Sequence, residues 1–446
     1  MTEARELSLF TAGERLRRGQ LTSEALVLSC LERIEVREPE VRAWVALHAE
    51  QALQAARGMD QEAARQHWRG PLHGIPLGVK DIFDVKGMET KAGSQAYAGG
   101  VADADADSVA RLREAGAIFL GKTATTEFAF ANPSQARNPW NTAHTPGGSS
   151  AGSGAAVADR MCLAALGSQT SGSVLRPAAF NGVVGFKPSY EDISTRGVVP
   201  LSWQFDHVGC LTRKVEDAHL LWHLMRHERL LDWQSKRDKL PPSLLPHAPK
   251  KIWRVRGSFE GESSPECLVH LERACLLLER NGVKIVEKSL PSSFQSVDEI
   301  HQMIMATEAA VYHRDMFATN PQFYSHHLSD LVRTGRSMKA TDYIQARRQR
   351  EIMRKDIAEA LADVDAAIMP SAVTTPPELT QNTTGDPRFN RPWSLCGVPS
   401  LSLPIGLSSE HLPVGVQLIS MEHADEQLLR IGGWCESVFG FNEAPG

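Results

Sequence analysis

The sequence lacks paired cysteines, long apolar runs and any apolar segment near its start. It has seven cysteines, an odd number, and no two of them form a C-x-x-C pair. This pattern is typical of buried free thiols in a reducing cytoplasm, which is the predicted location. No run of about 18 apolar residues is present, so we expect no membrane span. The first twenty residues do not resemble a signal peptide.

The sequence also lacks an excess of positive charge and any linker. Lys and Arg number 48 against 53 Asp and Glu, a net charge of −5, which argues against nucleic-acid or anionic-membrane partners. No Pro/Gly/Ser-rich stretch divides the 446 residues. We therefore predict a single domain over 1–446, although length alone would allow two or three.

The apolar pattern predicts alternating strands and helices. A buried strand over 73–80 ends at Lys80, a helix over 108–115 stops at Gly116, and a strand follows at 117–120. This alternation indicates an α/β layer fold. Further elements are predicted in two groups: helices at 22–34, 50–66, 300–317, 340–361 and from Asp425, and strands at 252–255, 283–286, 366–369, 400–403 and 414–419.

The segment 145–158, TPGGSSAGSGAAVA, is unusually rich in small residues. It does not fit a phosphate-binding loop, since Ser153 stands where Lys is required, and the GxGxxG dinucleotide pattern also fails. GSSAG at 148–152 matches the GxSxG nucleophile elbow, but no buried strand precedes it. Taken alone, this segment leaves two alternatives: a flexible loop, or a helix packed closely through small side chains.

A second small-residue segment, GSQTSGS at 167–173, follows the apolar run 162–166. A turn at the end of a buried strand is a common place for a site in α/β sheets, and its successive N–H groups can bind an oxyanion. Ser173 is therefore the candidate nucleophile. Lys80 is the candidate base, because burial would lower its pKa; the alternative is a solvated Lys80 paired with Asp81.

Together these segments resemble the amidase signature family. The resemblance is carried by GVKD at 78–81, GGSSAGSGAAVA at 147–158 and GSQTSGSVLRPAAFNGVVGFKPS at 167–189, with Ser149 and Ser173 24 residues apart. It extends through GKTATTEFA at 121–129, FNRPWSLCGVPSLSLP at 389–404 and LPVGVQLI at 412–419. Similarity covers about 20–215 and 363–438, and the region of about 216–362 is variable.

The resemblance implies a fold, a mechanism and a set of site residues. The implied fold is α/β, with a large mixed β-sheet core flanked by α-helices on both faces. Ser173 would attack the carbonyl, and Ser149, after a cis peptide bond from Gly148, would pass the proton to neutral Lys80. Backbone N–H groups of the oxyanion hole would come from Thr170, Ser171, Gly172 and Ser173. No metal or cofactor is implied.

Four positions depart from the commonest family pattern: Ala151, Gln169, Ser171 and Asn181. Two of them flank the oxyanion loop, so they bear on substrate preference more than on chemistry. The predicted substrate-binding residues are Ser150, Gln169, Arg176 and His207.

His219, His223 and His227 share the spacing of one helical face. They could bind a metal, but the segment reads better as an amphipathic packing helix, since metal sites need further ligands.

The predicted function is hydrolysis of the C–N bond of a small-molecule carboxamide through a Ser173 acyl-enzyme. Two alternatives are the amidase subunit of a glutamine-using, tRNA-dependent amidotransferase and a non-catalytic member of the family. Retention of Lys80, Ser149 and Ser173 together argues against the latter. The sequence leaves open a homodimer or a small accessory subunit.

Overall fold

The computed structural model describes residues 3–97, 99–226 and 244–446. Within these residues, eleven strands form one sheet in the order β1-β3-β2-β4-β6-β5-β10-β11-β9-β7-β8. The strands are β1 Trp44–Leu47, β2 Pro76–Lys80, β3 Ile118–Thr123, β4 Ala164–Gln169, β5 Val184–Lys187, β6 His207–Thr212, β7 Lys251–Arg256, β8 Lys284–Ser289, β9 Ala366–Pro370, β10 Ser400–Leu407 and β11 Pro413–Ile419.

The sheet is mixed, and its parallel part positions the candidate site. β2 runs parallel to both β3 and β4, and β7 runs parallel to β8 and β9; the other pairs are antiparallel. Val79 is in register with Leu166. Because parallel neighbours end at the same edge, Lys80 and the turn after Gln169 lie side by side.

Helices flank the sheet, which confirms the predicted fold class. α5 packs on β4, α6 on β5, β10 and β11, and α7 and α15 on β6 and β10. The α-helices are α1 Leu9–Arg17, α2 Ser23–Val41, α3 Ala49–Ala64, α4 Asp107–Glu114, α5 Ala151–Ala158, α6 Leu175–Asn181, α7 Val215–Met225, α8 Ser258–Glu262, α9 Pro265–Arg280, α10 Val297–Tyr312, α11 Arg314–Thr319, α12 His326–Ser337, α13 Ala340–Leu361, α14 Arg391–Cys396 and α15 Asp425–Phe439.

Most predicted elements are present, and the differences have local causes. The expected helix over 300–317 is two helices. α10 ends at Tyr312 and α11 begins at Arg314, and the ring of His313 between them contacts Phe128 and Tyr324. The strands β1, β5 and β6 were not predicted. β1 (WVAL) is apolar but, like β5, only four residues long. β5 and β6 are also interrupted by glycine and polar residues, so none of the three gives a long strand pattern.

The small-residue segment is a turn followed by a buried helix. All residues of α5 are buried, and a Cβ on Gly152 would lie 2.1 Å from the carbonyl oxygen of Ala43 and 2.3 Å from the nitrogen of Ala124. The backbones approach so closely that only a residue without a Cβ fits. The segment is therefore a closely packed helix rather than a flexible loop.

Candidate active site

Lys80 is completely buried at the end of β2. Its Nζ donates hydrogen bonds to Ser149 Oγ at 2.7 Å and to Ser168 Oγ at 2.8 Å. Burial lowers the pKa of Lys80 to about 7, although the nearby Asp206 carboxylate opposes this change. Desolvation disfavours the charged ammonium, so a large fraction of Lys80 is the neutral amine near neutral pH.

Asp81 is not the partner of Lys80. Its carboxylate forms an ion pair with Lys122 Nζ at 2.8 Å, with both side chains buried. Lys80 is the last residue of β2 and Lys122 the last but one of the neighbouring parallel strand β3, and each makes its own set of contacts. The alternative of a solvated Lys80 paired with Asp81 is therefore wrong.

The turn before α5 brings Ser149 to Lys80. The peptide bond between Gly148 and Ser149 is cis. Arg176 Nη2 donates to the Gly148 carbonyl at 2.7 Å, and the N–H of Ser150 donates to the carbonyl of Ser173 at 3.3 Å. These contacts hold the Ser149 segment against the turn that carries Ser173.

The turn after β4 presents free backbone donors. Gln169 Oε1 accepts hydrogen bonds from the N–H groups of Val174 and Leu175, at 2.9 and 3.0 Å. In the part of the chain that the structure describes, the N–H groups of residues 171–173 have no acceptor. The Gln169 side chain thus closes the turn while its middle remains free to bind an oxyanion.

Side chains from other elements fix this turn. Thr170 Oγ1 donates to Asp206 Oδ1 at 2.5 Å, and Ser394 Oγ donates to the carbonyl of Ser171 at 2.8 Å. A Cβ on Gly172 would lie 2.5 Å from Asn390 Oδ1. The turn is therefore held from several directions.

Asp206 is an ionisable residue of the site that the sequence analysis missed. It also accepts from the N–H groups of Leu201 and Ser202. Burial raises the pKa of Asp206 to about 6, although the Thr170 hydroxyl and the two N–H groups lower it. The only sequence signal is its position beside His207 in the family-like FDHVG segment.

Ser150 and Arg176 make contacts within the protein, whereas His207 also lines a cavity beside the site. Ser150 Oγ donates to the carbonyl of Ser168 at 3.3 Å, and Arg176 contacts Gly148 and Thr384. His207 is buried, and its Nδ1 lies 2.5 Å from the carbonyl oxygen of Phe205. These contacts favour a role in shaping the site.

A cavity of about 390 Å³ adjoins the site. Its polar lining includes Ser168, Thr170 and Asp206, of which the first contacts Lys80. Most of the remaining wall is apolar, formed by Ile82, Ala129, Val198, Val199, Pro200, Leu201, Trp203 and Val208. A cavity of this size and character fits a small organic molecule.

The described residues contain no cluster of His, Cys, Asp and Glu suited to a metal ion. His219 and His223 lie on one helix with ring centroids 6.3 Å apart, whereas His227 lies outside the described residues. Within 3–97, 99–226 and 244–446, no helix has both the length and the apolar character that a membrane crossing requires.

Comparison with known proteins agrees with this geometry. The Amidase family model matches residues 25–429. An amidase from Pseudomonas putida is 34% identical, covering 92% of each chain. A glutamyl-tRNA(Gln) amidotransferase subunit from Desulfatibacillum aliphaticivorans is 32% identical, covering 98% of each. The peptide amidase of Stenotrophomonas maltophilia superimposes with a TM-score of 0.85 at 28% identity, over 99% of this chain and 98% of that one.

The family model covers most of the chain, and the relatives match nearly its full length. The large mixed sheet with flanking helices is also the fold of the matched amidase structures. This chain belongs to the amidase signature family and is a hydrolase acting on amide C–N bonds.

Proposed function

We propose that Ser173 attacks the carbonyl carbon of a small-molecule carboxamide, with Ser149 and Lys80 transferring the protons. The observation that carries the proposal is a fully buried Lys80 whose Nζ contacts the Ser149 hydroxyl at 2.7 Å. A serine hydroxyl needs a base to become a nucleophile. A desolvated, neutral lysine amine can take this role near pH 7.

The contacts of Lys80 suit proton transfer through Ser149. A neutral amine has two N–H donors and one lone pair. Donation to Ser168 Oγ at 2.8 Å leaves the lone pair free to accept the proton of Ser149. Ser149 then accepts the proton of Ser173 as the C–O bond forms. The net result is the transfer of one proton from Ser173 to Lys80.

The free N–H groups of the turn would stabilise the tetrahedral intermediate. The negative charge develops on the former carbonyl oxygen, and we propose that the N–H groups of Thr170, Ser171, Gly172 and Ser173 form the oxyanion hole. Removing one such donor typically costs about 10²–10³ in kcat. Because Gln169, Asp206 and Ser394 hold the turn, little reorganisation is needed during the reaction.

Collapse of the intermediate releases the amine and leaves an ester on Ser173. The C–N bond breaks, and the leaving nitrogen takes the proton held by Lys80, returned through Ser149. Water then attacks the acyl-enzyme and gives a proton to the same relay, which returns it to Ser173 Oγ as the ester C–O bond breaks. The products are the carboxylic acid and the amine or ammonia, and no metal or cofactor is required.

We further propose a single domain over 1–446, a cytoplasmic location and a small-molecule substrate, without nucleic-acid or membrane partners. The continuous sheet supports the first. The seven buried, unbonded cysteines support the second, and the cavity of about 390 Å³ beside Ser168 supports the third.

The experiment is to follow ammonia or amine release from a panel of amides, esters and glutamine. Ser173→Ala should abolish turnover, and mass spectrometry should detect an acyl adduct on the peptide containing Ser173 only in the wild type. Ser437→Ala, at an exposed hydroxyl near the end of α15, is the matched control and should behave as wild type. Equal rates for Ser173→Ala and wild type would refute the nucleophile. Activity confined to glutamine would favour the amidotransferase reading.

A further inference from the structure

Ser171 is the least buried residue in an otherwise buried segment. Every other residue from 161 to 181 is buried, whereas Ser171 is half-buried. It lies within the row of free N–H groups. Part of its surface is therefore accessible next to the proposed oxyanion hole, at a position where the family pattern usually has glycine.

His301 lies behind this hydroxyl and comes from the variable part of the chain. Its side chain is buried on α10. Its ring stacks on that of Phe205, with the ring centroids 4.4 Å apart and the ring planes at 9° to each other. Its Nε2 lies 3.1 Å from the carbonyl oxygen of Thr170 and 3.3 Å from Ser171 Oγ. One ring atom therefore contacts two consecutive residues of the turn.

The proton on His301 can be assigned from these contacts. Burial lowers the pKa of His301 to about 3, so the imidazole is neutral and carries one N–H. A carbonyl oxygen can only accept, so Nε2 must carry the hydrogen that it shares between Thr170 and Ser171. Ser171 Oγ accepts in this contact, and its own hydrogen points elsewhere.

We propose that Ser171 is a specificity-determining residue that donates a hydrogen bond to the acyl part of the substrate, with His301 as its positioning residue. This inference rests on the proposed function. A serine side chain is short, so its hydroxyl lies close to the N–H of the same residue, which the proposed function assigns to the oxyanion hole. The favoured substrates are therefore amides with an oxygen acceptor on the carbon next to the scissile carbonyl.

The test compares methoxyacetamide with butanamide, which differ by an ether oxygen in place of a methylene group. A single hydrogen bond changes affinity by about 2- to 10-fold. Ser171→Ala should lower the ratio of kcat/KM for methoxyacetamide to that for butanamide by this factor, with butanamide itself little changed. Ser171→Gly, the usual family residue, should do the same.

His301 is tested through the same ratio. His301→Leu should lower this kcat/KM ratio, while His301→Gln, which keeps an N–H donor, should restore most of the wild-type ratio. The double variant of Ser171→Ala with His301→Leu should have the same kcat/KM ratio as Ser171→Ala alone, because the two residues act together. His313→Leu is the matched control: it removes another buried, neutral histidine at the end of the same helix, and it should leave the ratio unchanged.

An unchanged ratio in Ser171→Ala would overturn the inference, as would a failure of wild type to hydrolyse either compound. Both results are distinguishable from failure of the proposed function. If the proposed function were wrong, Ser173→Ala would retain turnover on the amide panel, whatever the residue at position 171.

Discussion

Replacing Lys80 with Met should change how stability depends on pH, and the size of this change follows from its burial. The fall in the pKa of Lys80 from 10.5 to about 7 corresponds to about 5 kcal/mol, at about 1.4 kcal/mol for each pKa unit. Below pH 7 both the folded and the unfolded chain hold the proton, and this cost is fully present. Between pH 7 and 10.5 only the unfolded chain holds it, so the cost decreases as pH rises.

The prediction concerns the difference between two proteins at two pH values. From pH 7 to pH 9 the free energy of unfolding of wild type should rise by about 2 kcal/mol relative to Lys80→Met. Loss of the contacts to Ser149 and Ser168 also destabilises the variant, but this effect does not depend on the titration of residue 80. It therefore cancels in the comparison.

Urea-induced unfolding at both pH values, read by circular dichroism, measures this difference. In parallel, kcat/KM of wild type should rise with pH and level off above about pH 7, and Lys80→Met should lose activity by orders of magnitude while it still folds. If the two proteins differ in stability by the same amount at pH 7 and pH 9, Lys80 does not have a lowered pKa, and the reasoning fails.

Three further variants test the surrounding site. Lys122→Met leaves the Asp81 carboxylate buried without its counter-ion and should cost about 3–5 kcal/mol of stability in urea unfolding; a smaller loss than in Lys80→Met would contradict the assigned pairing. Asp206→Asn removes the charge that raises the pKa of Lys80, so the acidic limb of the kcat/KM profile should move to lower pH; an upward move would exclude this interaction. Gly172→Ala forces a Cβ to within 2.5 Å of Asn390 Oδ1 and should lower kcat by about 100-fold. The control is Gly58→Ala, because no atom lies within 4 Å of a Cβ at Gly58. Equal kcat values for the two variants would show that the turn is not tightly held.

Local patterns predicted the elements that carry the site. Lys80 ends a short apolar run, and such a run in front of a turn indicates a buried strand whatever surrounds it. The same reasoning placed the strand before the 169–173 turn, whereas the role of Ser149 came only from the family resemblance. The comparisons confirm the family resemblance and its fold.

The partners of these residues depended on the tertiary structure. Lys80 is the last residue of β2 and Lys122 the last but one of β3, both near Asp81. Only the register between β2 and β3 decides which amine forms the ion pair. His301 lies 130 residues from Ser171, in the region of about 216–362 that the sequence analysis took as variable. No local sequence pattern indicates which helix packs against the 169–173 turn.

The sequence by itself determined which chemical groups this protein has and where each lies along a strand or turn, because periodicity and turn chemistry act over a few neighbouring residues. The tertiary structure decided the burial of Lys80, the charge of Asp206 beside it and the contact of His301 with the turn. A pKa and a hydrogen bond depend on everything that packs around a group, and those neighbours come from distant parts of the chain.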